Sequence, residues 1–280
     1  IKQCLVGSEM CIRDSDQNLK FDTNLLQDWM HEYIPNCESI SSVEQFKGGQ
    51  SNPTYKILTK TGAYVLRRKP PGKLLPKAHA VDREYKVISA LEETDVPVPK
   101  TFGLCDDHDV VGTPFFMMEF VEGKVFWDHL LPSCSKTERA QIYRDKNRVI
   151  AALHGVDYSA VGLNDFGKTG DYVARQVNTW TKQYLASETE NIEEMNKLIE
   201  WLPANIPEDD ATSIVHGDFR LDNMIYCDQK VAGVLDWELS TLGHPVADFC
   251  YHCLTWRTLP DFYDHKKLSL IHISEPTRHC

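Results

Sequence analysis

The stretch that most constrains this 280-residue chain lies near its C-terminal end, where two short apolar runs each deliver an acidic side chain. Ile214-Val215 leads into His216-Gly217-Asp218, four residues intervene, and then comes Asn223. A second run, Val231-Ala232-Gly233-Val234-Leu235, delivers Asp236, followed by Trp237 and Glu238. The pattern H-x-D-x-x-x-x-N, then a short strand ending in Asp, is one that phosphoryl transfer explains. One Asp accepts the proton of an attacking hydroxyl, while the Asn and the second Asp hold magnesium on ATP. Magnesium takes oxygen ligands and keeps only one or two protein side chains besides phosphate and water, so one Asn and one Asp suffice. A polar loop with a capped helix would use the same residue types, but it requires the spacing and the second run to coincide by chance.

The two ends read differently from the rest. Back-translation of Ser269 to Arg278 as TCT CTT ATA CAC ATC TCC GAG CCC ACG AGA gives a reverse complement that, read one base over, encodes Leu5 to Arg13. One short inverted DNA element, similar to the transposon-end adapters of sequencing libraries, accounts for both tails. A signal peptide at residues 3–15 would need a sustained apolar core, which is lacking. Residues 1–15 and 268–280 are therefore expected to be adapter-derived, and the remainder to be a fragment of a longer protein, cut at both ends.

About 250 residues remain, enough for one large domain or two lobes with a core. The excluded ends carry equal numbers of acids and bases, so the net charge of −11 stands. An acidic surface repels phosphate backbones, which argues against a nucleic-acid partner. No run of about twenty apolar residues exists, so nothing is expected to span a membrane as a helix. Six of the nine cysteines lie between the tails, scattered, and read as reduced thiols of a cytoplasmic protein. Cys250 and Cys253, with His244 and His252, lack a second ligand pair at metal spacing, and an amphipathic helix explains them better than zinc.

Asp22 or Thr23 can cap a helix with Leu25, Leu26, Trp29, Met30 and Tyr33 on one face, ended by Pro35. Strand, glycine turn and strand follow across Val43 to Ile57. Gly48 and Gly49 let backbone approach phosphate closely, and Ser51 or Asn52 could donate hydrogen bonds there. Ala63 to Lys69 reads as a strand broken by Pro70-Pro71-Gly72. A helix carries Asp82 to Leu91, and Phe115 to Val121 reads as a buried strand running into a linker. Beyond Ser135 the chain is mostly helical. Thr137 can cap a helix through Leu153-His154 with Ile142, Val149, Ile150 and Leu153 inside, and His154 reads as packed or capping. Arg175 to Tyr184 and Ile192 to Leu202 are amphipathic, and Trp180, Tyr184, Met195, Leu198 and Trp201 read as core. Asp248 is expected to cap or tie down a late helix after Gly243-His244-Pro245.

The catalytic stretch, in this order with G-G-Q-S-N, R-R-K-P-P-G-K-L-L-P and L-D-W-E-L-S-T-L-G-H-P, resembles the aminoglycoside phosphotransferase family of protein-kinase-like small-molecule kinases. Within it, the motifs look like the branch that includes the kinase domain of acyl-CoA dehydrogenase family members ten and eleven. The resemblance covers roughly Gln45 to Trp256. It implies an α+β two-lobe fold, with a small mostly antiparallel N-lobe sheet and one helix over residues 16–121, and a mainly helical C-lobe over 122–267. It implies ATP and magnesium as cofactors, Asp218 as the base, and Asn223 and Asp236 as metal ligands. Gly48, Gly49 and Ser51 would meet phosphate. Arg67 stands where relatives place a Lys, with Lys69 the rival, and Glu84 would be its helix partner or else a solvated acid beside Arg83. Glu119 and Val121 fall in the hinge whose backbone meets adenine. His216 would brace the loop, and Arg220 would meet an anionic substrate group or form a salt bridge within the loop. The implied acceptor is a small-molecule alcohol, of hydroxyacyl-CoA or aminoglycoside type. A protein kinase would need an A-P-E after Asp236 and an Arg where Gly217 stands. A non-catalytic nucleotide-binding scaffold would bind ATP without transferring phosphate.

Overall fold

The computed structural model describes residues 21–46, 52–72, 80–208 and 211–254. The two expected adapter tails therefore lie outside the described residues.

An N-terminal lobe forms around a five-stranded sheet. Its strands are β1 (Ile40–Gln45), β2 (Thr54–Thr59), β3 (Ala63–Arg68), β4 (Thr101–Cys105) and β5 (Phe115–Glu119). Their order is β1-β2-β3-β5-β4, antiparallel throughout. Both faces of the sheet are covered, which is why Phe115-Phe116-Met117-Met118 is apolar without alternation. Phe115 and Met117 face α1 (Thr23–Tyr33), together with Tyr55, Ile57 and Leu66. Phe116 and Met118 face α2 (Val81–Leu91) and the main core, together with Val65. Side chains alternate across a strand, so the same rule sends Arg67 to the α2 side and Arg68 toward Tyr55 and Val111 on the other.

Asp22 caps α1 by accepting the Asn24 amide at 2.8 Å. Leu26, Trp29 and Met30 are buried, whereas Leu25 and Tyr33 are exposed, so the apolar stripe is narrower than expected. The short α3 (His108–Val111) packs beside α1.

The second lobe is mainly helical. In α4 (Lys136–Gly155) the cap is Ser135, not Thr137. Ser135 accepts the Glu138 amide and Glu138 returns to the Ser135 amide, a reciprocal box that Thr137 has no glutamate to complete. Ile142, Val149, Ile150 and Leu153 are buried as expected, and so is Lys146. Helices α5 (Tyr172–Ser187) and α6 (Glu193–Ala204) form an antiparallel pair. The core reading of these two helices is corrected here: neither has a fully buried residue, and Trp180 and Trp201 are 64 and 58 % exposed. Their apolar periodicity is real, but among the described residues it lines a cavity rather than a core.

Two small antiparallel pairs carry the functional loops. One joins β6 (Ser213–Val215) to β9 (Thr241–Gly243), and the other joins β7 (Met224–Cys227) to β8 (Lys230–Val234). Helix α7 (Pro245–Cys253) closes the described chain. No described helix is long and apolar enough to cross a membrane.

Candidate active site

Strand β6 ends at Val215, and the loop that follows from His216 is fixed from three sides. Asp248, in the first turn of α7, accepts the amides of His216 at 2.9 Å and Gly217 at 3.0 Å, and meets His154 Nε2 at 3.2 Å. Burial works to raise the Asp248 carboxyl, but His154, His216 and the two amides outweigh it and hold it below the ordinary carboxylate value. Asp248 thus ties down the loop that carries Asp218 rather than its own helix, which His244 caps instead. His154 belongs to this clamp, a packed histidine as expected.

His216 is fully buried. Its Nε2 lies 2.9 Å from the Leu235 carbonyl, and its Nδ1 lies 3.2 Å from the Asp218 amide. A carbonyl can only accept and an amide can only donate, so the imidazole carries its proton on Nε2. Gly217 has φ +82°, and a Cβ there would sit 2.8 Å from the Leu239 carbonyl oxygen. That close approach requires glycine.

The Asp218 carboxylate is divided between two partners. Oδ2 accepts from Asn223 Nδ2 at 2.9 Å, and that amide also donates to the Asp218 carbonyl at 2.9 Å. Oδ1 accepts the Tyr251 hydroxyl at 2.8 Å and lies 3.5 Å from Arg220 Nε. Arg220 itself grips Asp222 through Nε at 3.0 Å and through Nη2, so the salt bridge within the loop is the arrangement found.

Asn223 closes a one-turn 3-10 segment, Leu221–Asn223, that runs into β7. Its carbonyl accepts the Leu235 amide at 2.8 Å, which brings Asp236 to the same place. Asp236 is left-handed, φ +65°, an unusual conformation for a residue with a Cβ. Across the lobes, Arg67 pairs with Glu84 through Nε and through Nη2 at 2.7 Å, and Nη2 reaches Asp236 Oδ1 at 3.1 Å. Arg67 and Glu84 are both buried. Burial works to lower the Arg67 pKa, yet Glu84, then Asp236 and Glu238, raise it on balance and keep the guanidinium charged. Lys69 turns instead to exposed Asp82 at 3.3 Å. Arg67 therefore holds the position between the helix glutamate and the second aspartate, and Glu84 is not solvated.

A slot lies between the lobes behind Arg67, lined by Val65, Ile88, Met118, Glu119, Val121 and Leu235 among others. Glu119 points its carboxylate to the Lys100 amide at 3.1 Å. Directly after it, Gly123 lets the chain pair with β7, where Lys124 and Tyr226 exchange two 2.8 Å hydrogen bonds. A Cβ at Gly123 would meet Ile225 at 2.5 Å.

The donor set suits a magnesium nucleotide. With Nδ2 engaged by Asp218, Asn223 presents its amide oxygen, and Asp236 adds a carboxylate; both are hard oxygen donors. Asn52, two residues before β2, is fully buried, and neither atom of its carboxamide has a partner in the folded chain. A buried amide in that state calls for a ligand group. Gly48, Gly49 and Ser51 lie outside the described residues. Among the described residues, one group of three acids, Glu84, Asp236 and Glu238, offers carboxylate oxygens within 4.8 Å of one another. Glu238 was the unread member, although it directly follows Asp236-Trp237. The cysteines near α7 form no such group, and His252 is instead bonded to Asn147 at 2.7 Å.

Behind the loop a second cavity of about 660 Å³ opens between α5, α6 and α7. Trp180, Tyr184, Met195, Leu198 and Leu202 line one side, and Gly217, Asp248 and Tyr251 line the other. Tyr251 and Lys146 escaped sequence reading, since nothing local marks a helical tyrosine or lysine as facing a loop that is distant in sequence.

Comparison with known proteins agrees with this geometry. A model described as the phosphotransferase enzyme family matches residues 42–268. Over 214 residues the chain is 50 % identical to acyl-CoA dehydrogenase family member 10 of Mus musculus, covering 76 % of this chain and 20 % of that protein. Over 251 residues it is 44 % identical to acyl-CoA dehydrogenase family member 11 of Rattus norvegicus, covering 86 and 32 %. The chain thus spans between a fifth and a third of these curated relatives. A crystal structure assigned to the aminoglycoside phosphotransferases, from Ralstonia eutropha JMP134, is 50 % identical with a TM-score of 0.80, covering 91 % of this chain and 76 % of that one. At 15 % identity, aminoglycoside phosphotransferase APH(4)-Ia in complex with AMP-PNP and hygromycin B shares the fold, with a TM-score of 0.60 and coverage of 83 and 76 %. With the loop, the second aspartate and the inter-lobe arginine gathered on one two-lobed frame, and with a match spanning most of its length, the chain belongs to the phosphotransferase enzyme family.

Proposed function

We propose that this chain transfers the γ-phosphoryl group of ATP, with magnesium, to a hydroxyl of a small molecule. The observation that carries this reading is the convergence of Asp218, Asn223 and Asp236 on the lobe interface with Arg67. When bound, the magnesium nucleotide supplies an electrophilic phosphorus. The chain supplies placement and charge, which is what a loose phosphoryl transition state requires. Asn223 holds Oδ2 of Asp218 and so turns Oδ1 outward, where it takes the proton of the acceptor hydroxyl as the oxygen bonds phosphorus and ADP leaves. Asn223 and Asp236 are the residues that would hold the metal. Arg67, kept charged by Glu84, neutralises phosphate oxygens, and Glu119 and Val121 border the base. His216 and Asp248 keep the loop in place.

The acceptor occupies the 660 Å³ cavity, which Gly217 and Tyr251 help to line. Its walls are mainly apolar and aromatic, which suits an alcohol on an acyl chain better than a polycationic aminoglycoside. Relatives named acyl-CoA dehydrogenase family members support the same class. The test is an ATP-consumption screen with magnesium on the intact protein, hydroxyacyl-CoAs against aminoglycosides. Transfer to a hydroxyacyl-CoA is expected, and Asp218→Ala should retain ATP binding while losing roughly three or more orders of magnitude in turnover. Turnover of Asp218→Ala within about tenfold of wild type would refute the base assignment. ATP binding with no transfer to any alcohol would make the chain a nucleotide-binding scaffold.

A further inference from the structure

The outward oxygen of Asp218, the one proposed to accept the acceptor's proton, is already hydrogen-bonded. Tyr251 donates its hydroxyl to Asp218 Oδ1 at 2.8 Å. The other oxygen accepts from Asn223, and Arg220 Nε also faces Oδ1 at 3.5 Å, so the phenol occupies the lone pair left for an incoming alcohol. Tyr251 projects from α7, whose first turn carries the Asp248 clamp, and it lines the mainly apolar cavity. Burial, and then the Asp218 charge, push the phenol up to about 12, so it holds its proton and acts as a donor at neutral pH.

We infer that Tyr251 is a positioning residue that stands in for the acceptor hydroxyl, holding Asp218 Oδ1 while the cavity is empty and yielding it when an alcohol arrives. This rests on the phosphotransferase reading of the site. Two consequences follow from a donor that must be displaced. Water is kept from Asp218 when no acceptor is present, which suppresses hydrolysis of ATP. The acceptor in turn exchanges one hydrogen bond for another, which weakens its apparent binding. Arg220, also facing Oδ1, is held by Asp222 and does not replace the phenol.

The test is Tyr251→Phe in the intact protein, which keeps the ring and removes the donor. Hydrolysis of ATP with magnesium and no acceptor should rise by about tenfold or more, and the KM for a hydroxyacyl-CoA should fall by roughly threefold or more, from loss of one charge-assisted hydrogen bond. Adding Asp218→Asn to Tyr251→Phe should abolish the gained hydrolysis. Hydrolysis and KM both within about twofold of wild type would overturn the inference, and so would a raised KM, which would make the phenol a lasting contact of the acceptor. Should the phenylalanine variant lose its fold, Tyr251→Leu serves the same comparison. If wild type transfers phosphate to no alcohol, the phosphotransferase reading fails; if it does and Tyr251→Phe leaves both readouts unmoved, only the inference about Tyr251 fails.

Discussion

Replacing Lys146 by methionine should stabilise this protein. Lys146 lies on the inner face of α4, 1 % exposed, with its ammonium 5.6 Å from the centre of the Phe219 ring. Burial is the largest influence on it, and the Asp222 carboxylate offsets only part of that. The result is a pKa lowered to about 7 from 10.5. Each unit of such a difference is worth about 1.4 kcal/mol, so the displacement corresponds to a cost on the order of 5 kcal/mol at neutral pH. Between pH 10.5 and about 7 the unfolded chain takes up a proton that the folded chain refuses. Stability therefore falls as pH falls through that window, and below it the penalty is constant because both states are charged. Methionine keeps the unbranched stem and most of the volume without the ammonium. Local relaxation reduces the gain, so the variant should be more stable by about 2–5 kcal/mol at pH 7, the difference shrinking toward zero near pH 10. Urea unfolding of both proteins at several pH values measures this. A difference that stays flat with pH, or a variant less stable at pH 7, would show that the buried ammonium is compensated and that the reasoning is wrong.

Removing Glu84 leaves the buried Arg67 guanidinium without its bidentate partner, so Glu84→Ala should cost about 3–5 kcal/mol in denaturant unfolding. Gly217→Ala places a Cβ against the Leu239 carbonyl at a positive φ; we expect a loss of roughly 1–3 kcal/mol in thermal unfolding and a fall in turnover larger than any change in nucleotide affinity, measured by calorimetry.

What the sequence made legible was local. The spacing His216, Asp218, Asn223 and the apolar run before Asp236 fix a loop and a strand whose meeting follows from adjacent hairpins. The α+β frame follows from strand patterns between two helices of clear periodicity. The helix cap expected at Thr137 lies instead at Ser135, whose spacing to Glu138 is that of the box. Other features depend on which side chains the fold brings together from afar. Asp248 approaches the loop because α7 packs against β6, and no local pattern separates that use from an N-terminal helix charge. The apolar stripes of α5 and α6 were visible, but periodicity reports that a face is apolar without saying what covers it. Trp180 and Leu198 therefore read as core while they wall a cavity.

Arg67 joins Glu84 of one lobe to Asp236 of the other, beside the slot between them. A magnesium nucleotide seated between the lobes would bring its phosphates to this pair. The arriving phosphates are also rivals of the Asp236 carboxylate for the same guanidinium. Arg67 thereby works as a charge-exchange latch: the anion that displaces Asp236 becomes its new partner.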